Sequence, residues 1–263
     1  MASATLELTS RFAAPHFSTS ETQAKAHSPY GLPIVDHCAN CKLRNSEGFC
    51  ALSSPALKEL DRMKHTTSYP EGALVFVEGQ DARGVYILCQ GRAKLLTTNR
   101  DGKTMILKIA EPGEVLGLHA VVSGEAHECT VETLQPAQLA FISREDFLRF
   151  IKSSGEACLN AAQHLSRDCQ TAYELIRSIG LCHSVSEKLA RLLLHWSVDA
   201  KITAGVEKMK LALTHEEMAQ LIGSSRETVT RTLSDFRKKG FLEVNGSTLV
   251  FRNKSGLQRL AEG

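Results

Sequence analysis

A chain of 263 residues, 43% of them apolar, holds enough for one large domain or two ordinary ones and is too apolar to remain a disordered polymer. The formal net charge of +2 excludes a polycation, so any nucleic-acid surface must be local. No run approaches the roughly 18 apolar residues of a membrane span, and MASATLELTSRFAAP lacks the apolar stretch of a signal peptide; a cytoplasmic location and no membrane partner are expected.

Residues 1–30 mix Ser, Thr, Ala, His and Pro without periodicity and read as a disordered tail. Next comes a cysteine-rich segment, 31–53, with HCANCKLRNSEGFC placing Cys38, Cys41 and Cys50 within thirteen residues. In a reducing compartment such spacing suits metal ligation or redox chemistry better than disulfides. The two-residue gap presents two sulfurs together, and the longer loop returns a third.

From 54 to 153 short β-branched runs alternate with glycine: YPEGALVFVEG, GVYILCQGRAKLL, DGKTMILKIAEPGEVLG and CTVETLQPAQLAFIS. Runs at roughly ten-residue spacing with Gly or Asp-Gly between them predict an antiparallel β-roll. No catalytic constellation stands out in this block, and CANC lacks the βαβ surroundings of a thiol oxidoreductase, so no enzyme is expected.

A helix is predicted over 154–180. Cys158, Ala162, Leu165, Cys169, Ala172, Ile176 and Ile179 fall at alternating spacings of 4 and 3, the seam of a coiled coil, which predicts a homodimer. Cys158 and Cys169 then serve as small apolar seam residues, and Cys182 as packing.

The segment 181–263 reads as a winged helix-turn-helix, which makes the whole chain α+β. Ser184 with Glu187 fits a capping box, and Leu189, Leu192, Leu193 and Trp196 form an apolar face. Thr214 with Glu217 and Ser224 with Glu227 give two more boxes around Gly223. Val229, Leu233 and Phe236 must face inward, leaving Arg226, Glu227, Thr230, Arg231 and Ser234 outward; Ser225, Arg226, Glu227, Thr230, Arg231 and Lys238 are the candidate DNA-binding residues. Arginine can take both acceptors of guanine, glutamate can accept from cytosine, and a threonine methyl can meet a thymine methyl. Arg237, Lys238 and Lys239 offer phosphate contacts, and FLEVNGSTLVF predicts the wing hairpin. From 205 to 263 there are ten Lys and Arg against seven Asp and Glu, so the module carries +3.

This order of elements, with GSSRETVTRTL, resembles the CRP/FNR superfamily of bacterial transcription regulators over roughly residues 38–260. The resemblance implies a cyclic-nucleotide-binding-type roll, double-stranded DNA as ligand and RNA polymerase as partner. The Arg-Glu-x-x-x-Arg pattern maps the CRP-branch readers of a TGTGA-type half-site onto Arg226, Glu227 and Arg231, and dimer symmetry implies an inverted repeat. FNR-branch members lack the first arginine.

CRP-type pockets hold cAMP with a Gly-Glu-Leu glutamate and an Arg-Ser pair. Here Leu118 and His127-Glu128 occupy those places, which argues against cAMP because a carboxylate repels the phosphate. The cysteines instead resemble the FNR branch, whose three N-terminal cysteines and one from the roll hold an oxygen-labile 4Fe-4S cluster. The roll position of that fourth cysteine is Ala140 here, and the third spacing is longer than the family's usual interval. Cys129 is taken as the fourth ligand, with Cys89, His37 and Glu128 as alternatives; the rival reading is a structural zinc or plain thiol site with a small-molecule or haem effector in the roll.

Overall fold

The computed structural model describes residues 30–32, 37–42, 48–197, 201–203, 206–210, 213–246 and 248–262. The expected tail over 1–30 lies outside the described residues except for Tyr30.

A single 3-10 turn, Cys38–Asn40, precedes α1 (Ser54–Met63), and a roll of eight strands follows. These are β1 (His65–Tyr69), β2 (Leu74–Phe76), β3 (Gly84–Gln90), β4 (Ala93–Thr98), β5 (Thr104–Ala110), β6 (Val115–Leu116), β7 (Thr130–Thr133) and β8 (Ala137–Ser143), with α2 (Leu118–Ser123) between β6 and β7. They form two antiparallel sheets, β1-β8-β3-β6 and β2-β7-β4-β5. Phe76, Leu88, Ala93, Ala110, Leu116, Cys129, Val131 and Leu139 make the roll's own core. The first sheet has a second apolar face. Val85, Ile87, Val115, Ala140 and Ile142 turn outward onto Phe49, Leu57, Leu60, Phe147, Phe150 and Ala157. Alternation along β3 follows from strand geometry, which sends successive side chains to opposite faces.

Helices cover that outer face. They are α1, α3 (Arg144–Ser153) and the first half of α4 (Gly155–Leu181). Two stripes run along α4. Ala157, Ala161 and His164 are buried against the roll. His164 Nε2 accepts from the Val115 N–H at 2.7 Å, and its Nδ1 stands 3.2 Å from Asp168, which takes Lys108 at 2.7 Å. The predicted seam forms the other stripe: Cys158, Ala162, Cys169, Ala172, Ile176 and Ile179 are exposed, whereas Leu165 is partly buried against the roll.

The last block comprises α5 (Val185–Trp196), β9 (Lys201–Thr203), β10 (Val206–Lys210), α6 (His215–Ile222), α7 (Arg226–Lys238), β11 (Leu242–Asn245), β12 (Thr248–Phe251) and α8 (Lys254–Glu262). Its sheet runs β11-β12-β10-β9, so the expected two-stranded wing is part of a four-stranded sheet. Leu189, Leu193, Met218, Val229 and Leu249 are fully buried in one core. Each contributes about 1.5–3 kcal/mol through burial.

Candidate DNA-reading face and cysteine pocket

Capping fixes the reading head. Thr214 and Glu217 form the predicted box: the Glu217 N–H donates to Thr214 Oγ1, and Glu217 Oε2 accepts from the Thr214 N–H at 2.9 Å. Gly223 then takes the left-handed conformation, φ 64°, that suits glycine, and the Gly223 and Ser224 N–H groups both close on the Ala219 carbonyl. Because the Ser224 backbone is used to end α6, α7 opens one residue later than expected, with Ser225 as its cap accepting from the Thr228 N–H. The Ser224 and Glu227 box is thereby corrected. A similar shift occurs at α5, where Ser184 caps the helix but Glu187 accepts from the His183 N–H at 2.9 Å.

In α7, Val229, Thr232, Leu233 and Phe236 are buried, while Arg226, Glu227, Thr230, Arg231, Ser234 and Lys238 are exposed. These six line an open concavity with Asp235. Thr230 Oγ1 donates to the Arg226 carbonyl at 2.9 Å and lies 2.9 Å from His215 Nδ1. With its only hydrogen so used, Thr230 can take the His215 N–H and leaves its methyl as the group free to meet a base. The sequence reading missed His215; its place at the first helical position facing the second helix was the available signal.

The cysteine pocket is built on α1. Asp61 accepts the Cys38 N–H with both oxygens, at 2.9 and 3.1 Å, and holds Lys64 at 2.8 Å. Lys64, 5% exposed, donates to Cys38 Sγ at 3.2 Å. Cys38 is buried in the helix-covered core, and Cys50 and Cys89 pack against the same core. Burial pushes the Cys38 thiol up to about 11 and Cys89 to about 12. Cys50 is raised too, first by burial and then by Cys38, Cys89 and Cys41, so the four sulfurs share one electrostatic neighbourhood. Among the described residues no group of three or more His, Cys, Asp or Glu stands in metal-holding geometry.

Cys129 is not part of this set. It lies inside the roll's own core, 2% exposed, with Glu128, Glu78 and Asp168 as its charged neighbours. The first sheet separates it from Cys38 and Cys50, and this corrects the expectation that Cys129 joins them. Cys89 lies on the same side of the sheet as Cys38 and Cys50. It follows Val85 and Ile87 on the outward face of β3, and Ile87 pairs with Ala140 on β8. The thiol reaches the Ala140 backbone on the neighbouring strand.

The segment carrying Cys50 is tied to α4. Asn160 Nδ2 donates to the Phe49 and Ala51 carbonyls, at 3.1 and 3.0 Å, on either side of Cys50. Glu156 accepts from the Ser53 N–H at 2.9 Å and from the Ser53 hydroxyl. In the roll, Leu118 is buried and His127 stacks on Phe76 with centroids 3.8 Å apart. Burial holds His127 below the ordinary imidazole value, partly opposed by the neighbouring Glu128.

A roll under a long helix, joined to a capped helix pair with an open basic face, defines a DNA-binding regulator. Residues 66–154 match the cyclic nucleotide-binding domain, and 187–260 match the Crp-like helix-turn-helix domain. The cAMP-activated global transcriptional regulator CRP of Pasteurella multocida is 25% identical over 187 residues, covering 71% of this chain and 89% of that protein. A CRP-like cAMP-activated global transcriptional regulator of Mycobacterium tuberculosis is 24% identical over 214 residues, 81% and 95% of the two chains. Among solved structures, FixK2 from Bradyrhizobium japonicum superposes with a TM-score of 0.67 at 22% identity, over 75% of this chain and 96% of that one. The chain belongs to the CRP/FNR family of transcription regulators.

Proposed function

We propose that this regulator is a homodimer that reads a TGTGA-type inverted repeat and is gated at the pocket of Cys38, Cys41, Cys50 and Cys89. The observation that carries the gating is the pair of Asn160 hydrogen bonds that bracket Cys50. Any change that moves Cys50 pulls on α4, whose exposed seam is the proposed dimer contact. Four thiols in one electrostatic neighbourhood match in kind and number the donors of an iron-sulfur cluster; Cys38, Cys41, Cys50 and Cys89 would have to draw together to hold it, because they do not stand in metal-holding geometry. When bound, such a cluster supplies oxygen-sensitive redox chemistry. The chain's own part is mechanical: Asp61 and Lys64 fix the first cysteine, and Asn160 and Glu156 join the third to the dimer helix.

Arg226 and Arg231 take guanine edges, Glu227 accepts from cytosine, the Thr230 methyl packs on the groove, and Lys238 contacts phosphate. DNA and RNA polymerase are the expected partners, the expected compartment is the cytoplasm, and no catalytic step is involved. Among the described residues no helix is long and apolar enough to cross a membrane. His127 and a buried Leu118 give cAMP neither the guanidinium nor the carboxylate used by the nucleotide-binding branch, so the roll acts without it.

The test compares binding to a TGTGA-type inverted repeat by protein kept anaerobic and by the same protein after exposure to air. Tighter binding by the anaerobic form, with iron and sulfide present, is expected. Equal binding with stoichiometric zinc would favour the structural-zinc reading.

A further inference from the structure

The reading head rests on the roll through its first helix and leaves its second helix free. The α6 helix lies against β5, and Gly223 at its end faces the Met105 side chain. At the centre of this contact is Lys94 on β4, whose ammonium sits 3.0 Å from Glu132 Oε1 and 3.3 Å from Glu217 Oε1. All three side chains are largely covered: Lys94 is 13% exposed, Glu217 16% and Glu132 28%. Burial disfavours the ammonium, and the two carboxylates more than offset that, so its pKa stands above the ordinary lysine value.

Glu217 has two tasks. Its Oε2 caps α6 by accepting from Thr214, and its Oε1 meets the roll. Glu132 lies on β7, the strand that leaves the loop bearing His127, Glu128 and Cys129. One lysine thus connects a strand of the sensor to the cap of the helix that supports the recognition helix. The recognition face points into the open, with Arg226, Glu227, Arg231 and Lys238 all exposed while α6 is docked.

We propose that Lys94 is the positioning residue of the reading head: through Glu217 it latches α6 onto the roll in the orientation that reads DNA. The inference rests on the proposed recognition of an inverted repeat, because two heads must be held at a fixed separation to fill two half-sites at once. An ion pair between partly covered groups suits a latch, since it is directional and opens when one partner shifts.

Glutamine is also accepted at the third position of a capping box, so Glu217→Gln keeps the cap while removing the charge that Lys94 meets. The full-length chain is compared with Lys94→Met, Glu217→Gln and the double variant by anisotropy on a labelled TGTGA-type inverted repeat. Each single variant is expected to bind about five-fold more weakly, with the double no weaker than either and Lys94→Arg close to wild type. Amide exchange along α6 in the free protein should quicken about five-fold in the same variants. Unchanged or tighter DNA binding, or losses that simply add in the double variant, would overturn the latch. If the wild type does not bind the repeat at all, the recognition reading fails by itself; the exchange rates then decide the latch, and unchanged rates reject it.

Discussion

The reading head and the cysteine pocket are both polar devices mounted on an apolar core, yet they are assembled in opposite ways. Thr214, Glu217, Gly223, Ser225 and the α7 face lie within 25 residues, so caps and helical periodicity create the reading face locally. The pocket draws Cys38, Cys50, Asp61, Lys64, Cys89 and Asn160 from the terminal turn, α1, β3 and α4. A face of local origin stands wherever its helix folds. A pocket of distant origin exists only while every element is in place, which suits an input that must respond to small displacements.

Removing the core beneath the local face should break it most severely. Phe236→Ala opens a fully covered site between α7 and Phe241, and a loss of about 3–5 kcal/mol is expected. Chemical denaturation of the full chain checks this, and the roll should retain its own transition if the head is an independent unit.

Within an intact head, Arg226→Ala should cost about 1–3 kcal/mol in DNA affinity and relax one base position, as read by a panel of single-substituted repeats. Lys238→Ala should instead weaken every sequence alike and reduce the salt slope by about 1. If Arg226→Ala leaves the preference at every position unchanged, the register of the recognition helix is not the one drawn here.

The smallest effect belongs to the link. Asn160→Ala removes two hydrogen bonds from a half-covered surface, for about 1 kcal/mol of stability. Its informative consequence is functional: DNA binding should lose its response to air while the cysteine pocket keeps its ligands. A variant that still responds fully would show that Cys50 and α4 communicate by another route.

Much of this was legible in the sequence. The roll, the long helix and the capped pair all follow from glycine punctuation, helical periodicity and cap residues, which are local signals. The cap of α7 was misplaced by one residue because Ser224 and Ser225 are equally good caps, and only the backbone bonds to Ala219 decide between them. The strands β9 and β10 escaped notice because KIT and VEKMK alternate weakly and gain their place by pairing, β10 with β12 and β9 with β10. The side of the sheet on which Cys129 lies was hidden for a related reason. Nearness in sequence to the sensor loop favoured Cys129, but the side of a sheet on which a residue lies is set by strand parity. Val85, Ile87 and Cys89 recur at every second position, and that pattern was the signal pointing to the helix-covered face.

The claim on which the account turns is that the input is made by Cys89 with Cys38, Cys41 and Cys50. Anaerobic purification of Cys89→Ser and Cys129→Ser, followed by iron and sulfide analysis and a visible spectrum, tests it most directly. Cys129→Ser is expected to keep the wild-type iron, sulfide and colour, whereas Cys89→Ser is expected to lose them. Loss in Cys129→Ser with retention in Cys89→Ser, or a colourless wild type carrying one zinc, would contradict it.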